Sequence, residues 1–188
     1  APTAVTALMA SGVKAAGFAV LARALFETFG DATFRTRWAP LLLLAAVLTM
    51  TIGNLLAMRQ NNLKRLLAYS SIAHTGYLLL AFLVLPRHGD SAVMGGHLQS
   101  VIFYLVLYSV MTLGAFAVAG LQREDGRPLE TMDDVAGLAK EQPGIALCMT
   151  LFMVSLAGLP PTGGFFVKFL IFRDALAQGV VEIGHSGI

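Results

Sequence analysis

The chain has 188 residues, 56% of them hydrophobic and only 13% charged, and a net charge of +2. Soluble domains carry roughly twice that charged share, about 25%, so this composition excludes a soluble globule and points to lipid as the solvent. The basic residues sit in short loops rather than in one patch, so nucleic acid is not implied; Cys148 is the single cysteine and lies in an apolar stretch, which leaves no disulfide framework or metal cluster.

The opening residue is Ala1, with no charged leader region, and membrane-like sequence follows at once, which predicts a piece of a longer polypeptide. Residues 3 to 29 form the first predicted span, rich in alanine, with Lys14 near its middle in SGVKAAGFA. Small residues there let neighbouring helices approach closely. Arg23 and Glu27 are spaced to share a helix face near its end, as an interfacial pair. A loop with Asp31, Arg35 and Arg37 follows and ends at Trp38, an interface anchor, and Pro40.

The second span covers residues 39 to 58, close to the roughly 20 residues a bilayer requires, with Asn54 as its strongly polar side chain. The polar turn RQNNLKR carries Arg59, Lys64 and Arg65. A third span covers 66 to 85, where Ser70, His74 and Tyr77 project from one side of a helix. In the fourth, 98 to 121, Tyr104, Tyr108 and Thr112 recur at four-residue steps as a polar stripe, which reads as adhesive between helices. Residues 122 to 143 are charge-dense; Leu129, Met132, Val135 and Leu138 at three-residue steps, with Thr131 and Asp134 placed as a cap, predict one short amphipathic helix on the membrane surface.

The fifth apolar segment starts near Gly144 and is interrupted in SLAGLPPTGGFFVKFLIF by two prolines and several glycines, then resumes to about Ala177. Proline removes a backbone donor and hydrocarbon offers freed carbonyls no partner, so a break at membrane depth implies a protein-lined or watery cavity. Lys168 lies just beyond the break, and a lysine at mid-membrane costs roughly 2.5 to 3.5 kcal/mol, which usually marks an ion or proton path.

Loop charges set the orientation. Arg59, Lys64, Arg65, Arg123, Arg127 and Lys140 lie in loops on one side, against Arg35, Arg37 and Arg87 on the other, so the first group faces the cytoplasm. Three titratable groups then lie within spans: Lys14, His74 and Lys168. No nucleophile and base pair, phosphate loop or haem site accompanies them, so the expected chemistry is proton transfer through water rather than any covalent step.

Four blocks carry a family resemblance: SGVKAAGFA, NNLKRLLAYSSIAHTGYLLLAF, FYLVLYSVMTLGAFAV and SLAGLPPTGGFFVKFLIF. In collinear order over nearly the whole chain, they resemble the antiporter-like proton-channel subunits of respiratory complex I. The resemblance implies an all-α membrane protein, a multi-span helix bundle with one discontinuous transmembrane helix, forming part of an inverted-repeat fold. Residues 1–30 would be the last helix of the first repeat, and 38–188 most of the second, with a cytoplasmic loop and surface helix at 122–143. The first repeat's channel lysine and its glutamate partner would lie upstream.

By the same resemblance, Lys14 matches the lysine connecting two half-channels, Lys168 the terminal lysine facing the outer exit, and His74 a position beside the hydrated axis. A lysine at 168 resembles the N and L types rather than the glutamate-bearing M type, and GFFVKF favours N. The resemblance implies proton translocation with no cofactor in this chain, NADH, FMN, iron-sulfur clusters and quinone residing in partner subunits of an NADH:quinone oxidoreductase. Subunits M, K and J are the implied neighbours, and the bacterial inner membrane, or the mitochondrial inner membrane in a eukaryote, the implied location. Two alternatives stand beside it: a subunit of a multi-subunit monovalent cation/proton antiporter, which shares the fold and similar lysines, and a non-conducting scaffold.

Overall fold

The structure, a computed structural model, describes residues 3–25, 32–83, 91–121 and 129–177, with the side chains of 32–36, 91–98 and 177 left aside. Glu27, Asp31, Arg35, Arg87, Arg123 and Arg127 lie outside the described residues or side chains. Among the described residues, four helices are long and apolar enough to cross a membrane.

The first, α1 (Thr3–Arg23), contains a π-helical stretch at Met9–Val13 immediately before Lys14. It buries little besides Ala7, Ser11 and Phe18, a narrow stripe at helical spacing; its first half packs on the fourth span, and Phe18 stacks on Phe82 of the third at 5.5 Å between ring centres. Helix α2 (Ala32–Met58) begins earlier than expected and runs through Pro40. Trp38 is therefore helical and half-buried against the core rather than the end of a loop. A proline near a membrane surface removes one amide, and the carbonyl so freed can bond to water there.

Helix α3 (Leu63–Leu83) also starts earlier than expected, because the Asn62 side chain accepts from the Arg65 amide at 3.1 Å and caps the first turn. Lys64 and Arg65 are thus helical, not part of the turn. Helices α2 and α3 lie close together: a Cβ on Gly76 would stand 2.7 Å from the Ala46 carbonyl oxygen, a spacing only glycine allows. Leu41, Leu44, Leu48, Ile52 and Leu55 line the other side of α2 and stay exposed, an apolar face suited to hydrocarbon.

Helix α4 (Ser91–Ala119) is central, packing against α1, α3 and the two last helices. Its buried stripe contains Tyr104, Tyr108, Met111, Thr112 and Ala115, while Ile102, Val106 and Val110 point outward. The tyrosine stripe expected from spacing is therefore the inward face.

The amphipathic segment differs from expectation. It forms two single turns, α5 (Met132–Val135) and α6 (Leu138–Glu141), separated by Gly137 at φ 86°, a left-handed conformation that ends the first turn. Its capping box is present as predicted: Thr131 Oγ1 accepts from the Asp134 amide, and the Asp134 carboxylate accepts from the Thr131 amide at 2.7 Å. Leu129 and Leu138 are buried. This segment is tied to the turn after α2: the Leu63 amide donates to the Glu130 carbonyl at 2.8 Å, the Met132 amide to Asn61 at 3.0 Å, and Lys64 pairs with Glu130 at 3.5 Å. The two loops assigned to one side by charge are thus in contact.

The chain then enters α7 (Pro143–Ala157), stops, and restarts as α8 (Gly163–Ala177). Gly158, at φ 82°, closes α7: its amide donates to Ser155 and the Leu159 amide reaches back to Val154 at 3.3 Å, a Schellman arrangement. The Gly164 amide donates to Ser155 Oγ at 3.2 Å, so the start of α8 sits against the end of α7.

Candidate functional site

The interruption between α7 and α8 leaves carbonyls at the end of α7 without helical partners, and Lys168 supplies one. Its Nζ donates to the Leu156 carbonyl at 2.7 Å and to that of Ala157 at 3.3 Å. A cation at the negative end of a helix is the favourable arrangement. The ammonium also lies 5.0 Å from the centre of the Tyr77 ring, a second site of attraction.

His74 stands at the centre of the arrangement, only 3% exposed. Its Nδ1 shares a 2.6 Å hydrogen bond with the Tyr104 hydroxyl. The ring meets Tyr77 edge-on at 5.7 Å and Tyr108 at 4.9 Å between centres. Beside it opens a cavity of about 440 Å³ bordered by Asn54, Ser70, His74, Tyr77, Leu156 and Lys168. Polar groups on several sides and this much room suit water.

Lys14 approaches the same centre from α1. Its Nζ donates to the Ser71 carbonyl at 2.6 Å and to Ser71 Oγ at 2.5 Å, and lies 3.5 Å from the Tyr108 hydroxyl. The Tyr108 hydroxyl is 2.9 Å from Ser71 Oγ, and its ring centre is 5.3 Å from the ammonium. The structure thus brings both lysines singled out in the sequence toward the third such residue, the buried His74: Lys168 across the cavity, Lys14 by way of Ser71 and Tyr108.

Sequence reasoning placed Ser70, His74 and Tyr77 on one face of α3, and all three border the cavity. It overlooked Ser71, although a serine three residues before His74 falls on nearly the same side of a helix. It also overlooked Asp174, an acid only 6% exposed in α8, whose Oδ1 pairs with Arg173 at 2.7 Å. A single aspartate after an apolar run was the available signal. Among the described residues no three His, Cys, Asp or Glu side chains gather as a metal site.

A bundle of apolar helices, an interruption flanked by a lysine, and a second lysine beside a tyrosine that meets the same buried histidine define a membrane protein with polar groups clustered in its interior. The chain belongs to the NADH:quinone oxidoreductase/Mrp antiporter transmembrane family, whose sequence model matches residues 1–184. It is 46% identical over 188 residues to NADH-quinone oxidoreductase subunit N of Trichlorobacter lovleyi, covering all of this chain and 37% of that protein. It is 44% identical to subunit N of Bdellovibrio bacteriovorus, covering 38% of it. Respiratory complex I from Thermus thermophilus with bound aureothin contains a chain that matches at a TM-score of 0.73 and 37% identity, over 97% of this chain and 38% of that one. The chain therefore spans well under half the length of these relatives.

Proposed function

We propose that this chain is part of a proton-translocating membrane-arm subunit of NADH-quinone oxidoreductase, of the N type. The observation that carries the reading is the position of Lys168, bonded to the open end of α7 and facing a cavity it shares with His74. The subunit-N relatives favour this over a cation antiporter within the same family.

In this reading α7 and α8 are the halves of one discontinuous span, within the second of two inverted repeats whose first ends in α1. NADH oxidation and quinone reduction take place in other subunits, where FMN and iron-sulfur clusters reside, and this chain lies among membrane-arm neighbours of the M, K and J types in the inner membrane. Its own residues hold and move protons. Lys14 receives a proton, water beside His74 conducts it, and Lys168 holds it at the break. Two ammonium groups on one path repel, so charge arriving on the Lys14 side helps to expel the proton of Lys168 outward.

The test is Lys168→Met in the full-length subunit within the assembled complex. Proton pumping per electron and coupled turnover are expected to fall while assembly persists. Normal pumping with methionine in that position would remove the role assigned to Lys168.

A further inference from the structure

Tyr108 was expected to hold helices together, yet its surroundings are more specific than packing requires. It is 2% exposed, and its side chain meets both of the titratable groups on the inner half of the proposed path. Its hydroxyl is 2.9 Å from Ser71 Oγ of α3 and, toward α1, 3.4 Å from the Ala10 carbonyl and 3.5 Å from Lys14 Nζ. Ala10 lies within the π-helical stretch, where the wider turn leaves backbone groups poorly matched and often accompanies a functional site. Toward α3, the face of the same ring is tilted against the imidazole of His74, at 4.9 Å between centres.

We infer that Tyr108 is a positioning residue that sets Lys14 and His74 jointly, an inference that rests on the proton-path reading above. The hydroxyl and ring face hold the ammonium against Ser71, and the ring fixes the plane of the imidazole. A change in the position of Lys14 is thereby felt at His74 through Tyr108, which lies four residues along α4 from Tyr104, the tyrosine that pairs with Nδ1 of the imidazole.

The two halves of the role separate chemically. Tyr108→Phe keeps the ring, hence the attraction for the cation and the contact with His74, and loses the hydroxyl; Tyr108→Leu loses both. In the assembled complex, with rates normalised to complex content, Tyr108→Phe should slow coupled turnover about fivefold, the effect of one ordinary hydrogen bond, and Tyr108→Leu more severely. Both should displace the pH profile of coupled turnover, which a loss of packing alone would not move. Should Tyr108→Leu fail to assemble, the phenylalanine variant decides. Lys14→Met is run alongside. If Lys14→Met is impaired while Tyr108→Phe keeps the native rate and pH profile, the positioning role is overturned and the proton-path reading stands; if Lys14→Met pumps normally, the reading on which the inference rests has failed.

Discussion

Lys168 Nζ lies 2.7 Å from the carbonyl oxygen of Leu156, so the residue proposed to hold a proton also closes the end of a helix. The two tasks make different demands. Closing the helix needs a cation of suitable reach, whereas passing a proton needs a group that can give one up, and arginine in proteins remains protonated. Lys168→Arg is therefore expected to preserve the thermal stability of the complex and still to lose pumping, as Lys168→Met does. Native pumping with arginine would show that charge alone suffices there.

The interruption itself depends on two glycines. An alanine at 158 would have to adopt φ near 82°, costing about 1 to 2 kcal/mol, and its Cβ would meet the Lys168 side chain at 3.1 Å. At Gly164 a Cβ would run into the Ser155 carbonyl, a backbone atom that cannot turn aside. Gly164→Ala should accordingly lower the amount of subunit assembled in membranes more than Gly158→Ala does. The reverse order, measured by blotting and by thermal denaturation, would mean that α8 does not press against α7 in this way.

His74 and Tyr104 form a buried pair at 2.6 Å. Tyr104→Phe leaves a polar nitrogen in an enclosed site and should destabilise by about 1 to 3 kcal/mol. Combining it with His74→Leu should recover part of that loss, since both partners are then apolar, and a double-mutant cycle on the thermal midpoint reads the coupling. Additive effects would contradict the pairing.

The turn after α2 and the segment before α5 touch through Asn62 and Thr131, which form an antiparallel bridge. Asn61 is exposed beside that bridge. An Asn61→Cys variant, made where Cys148 is replaced by serine, should react with an impermeant thiol reagent from the cytoplasmic side of sealed vesicles. Reaction from the opposite side would invert the assigned orientation.

The spans and the interruption were legible because lipid imposes simple demands: long apolar runs, charge confined to loops, and a break wherever proline and glycine cluster. Lys14, His74 and Lys168 stood out as charges that hydrocarbon tolerates poorly. What could not be read was contact between helices distant in the chain. Ser71 carries no signal of its own until Lys14, 57 positions earlier, is laid against it. Tyr108 looked like a link in a stripe until its neighbours on α1 and α3 were known. The surface helix was mistaken for a single element because its three-residue apolar repeat continues across Gly137, where the backbone turns left-handed. The helix starts at Ala32 and Leu63 were missed because polar residues at a membrane surface can be helical as easily as looped, and the Asn62 cap decided the second.

Water must reach position 168 if protons are to move there. In a Cys148→Ser background, Lys168→Cys within the assembled complex would be exposed to a small, charged methanethiosulfonate reagent, whose thiosulfonate sulfur is attacked by an ionised, hydrated thiolate with loss of methanesulfinate. The account predicts modification at a rate well above that of a cysteine placed at Val106 on the lipid-facing side of α4. Equal, negligible modification at both positions would mean that Lys168 faces a dry environment, and the proposed path would have no place to hold its protons.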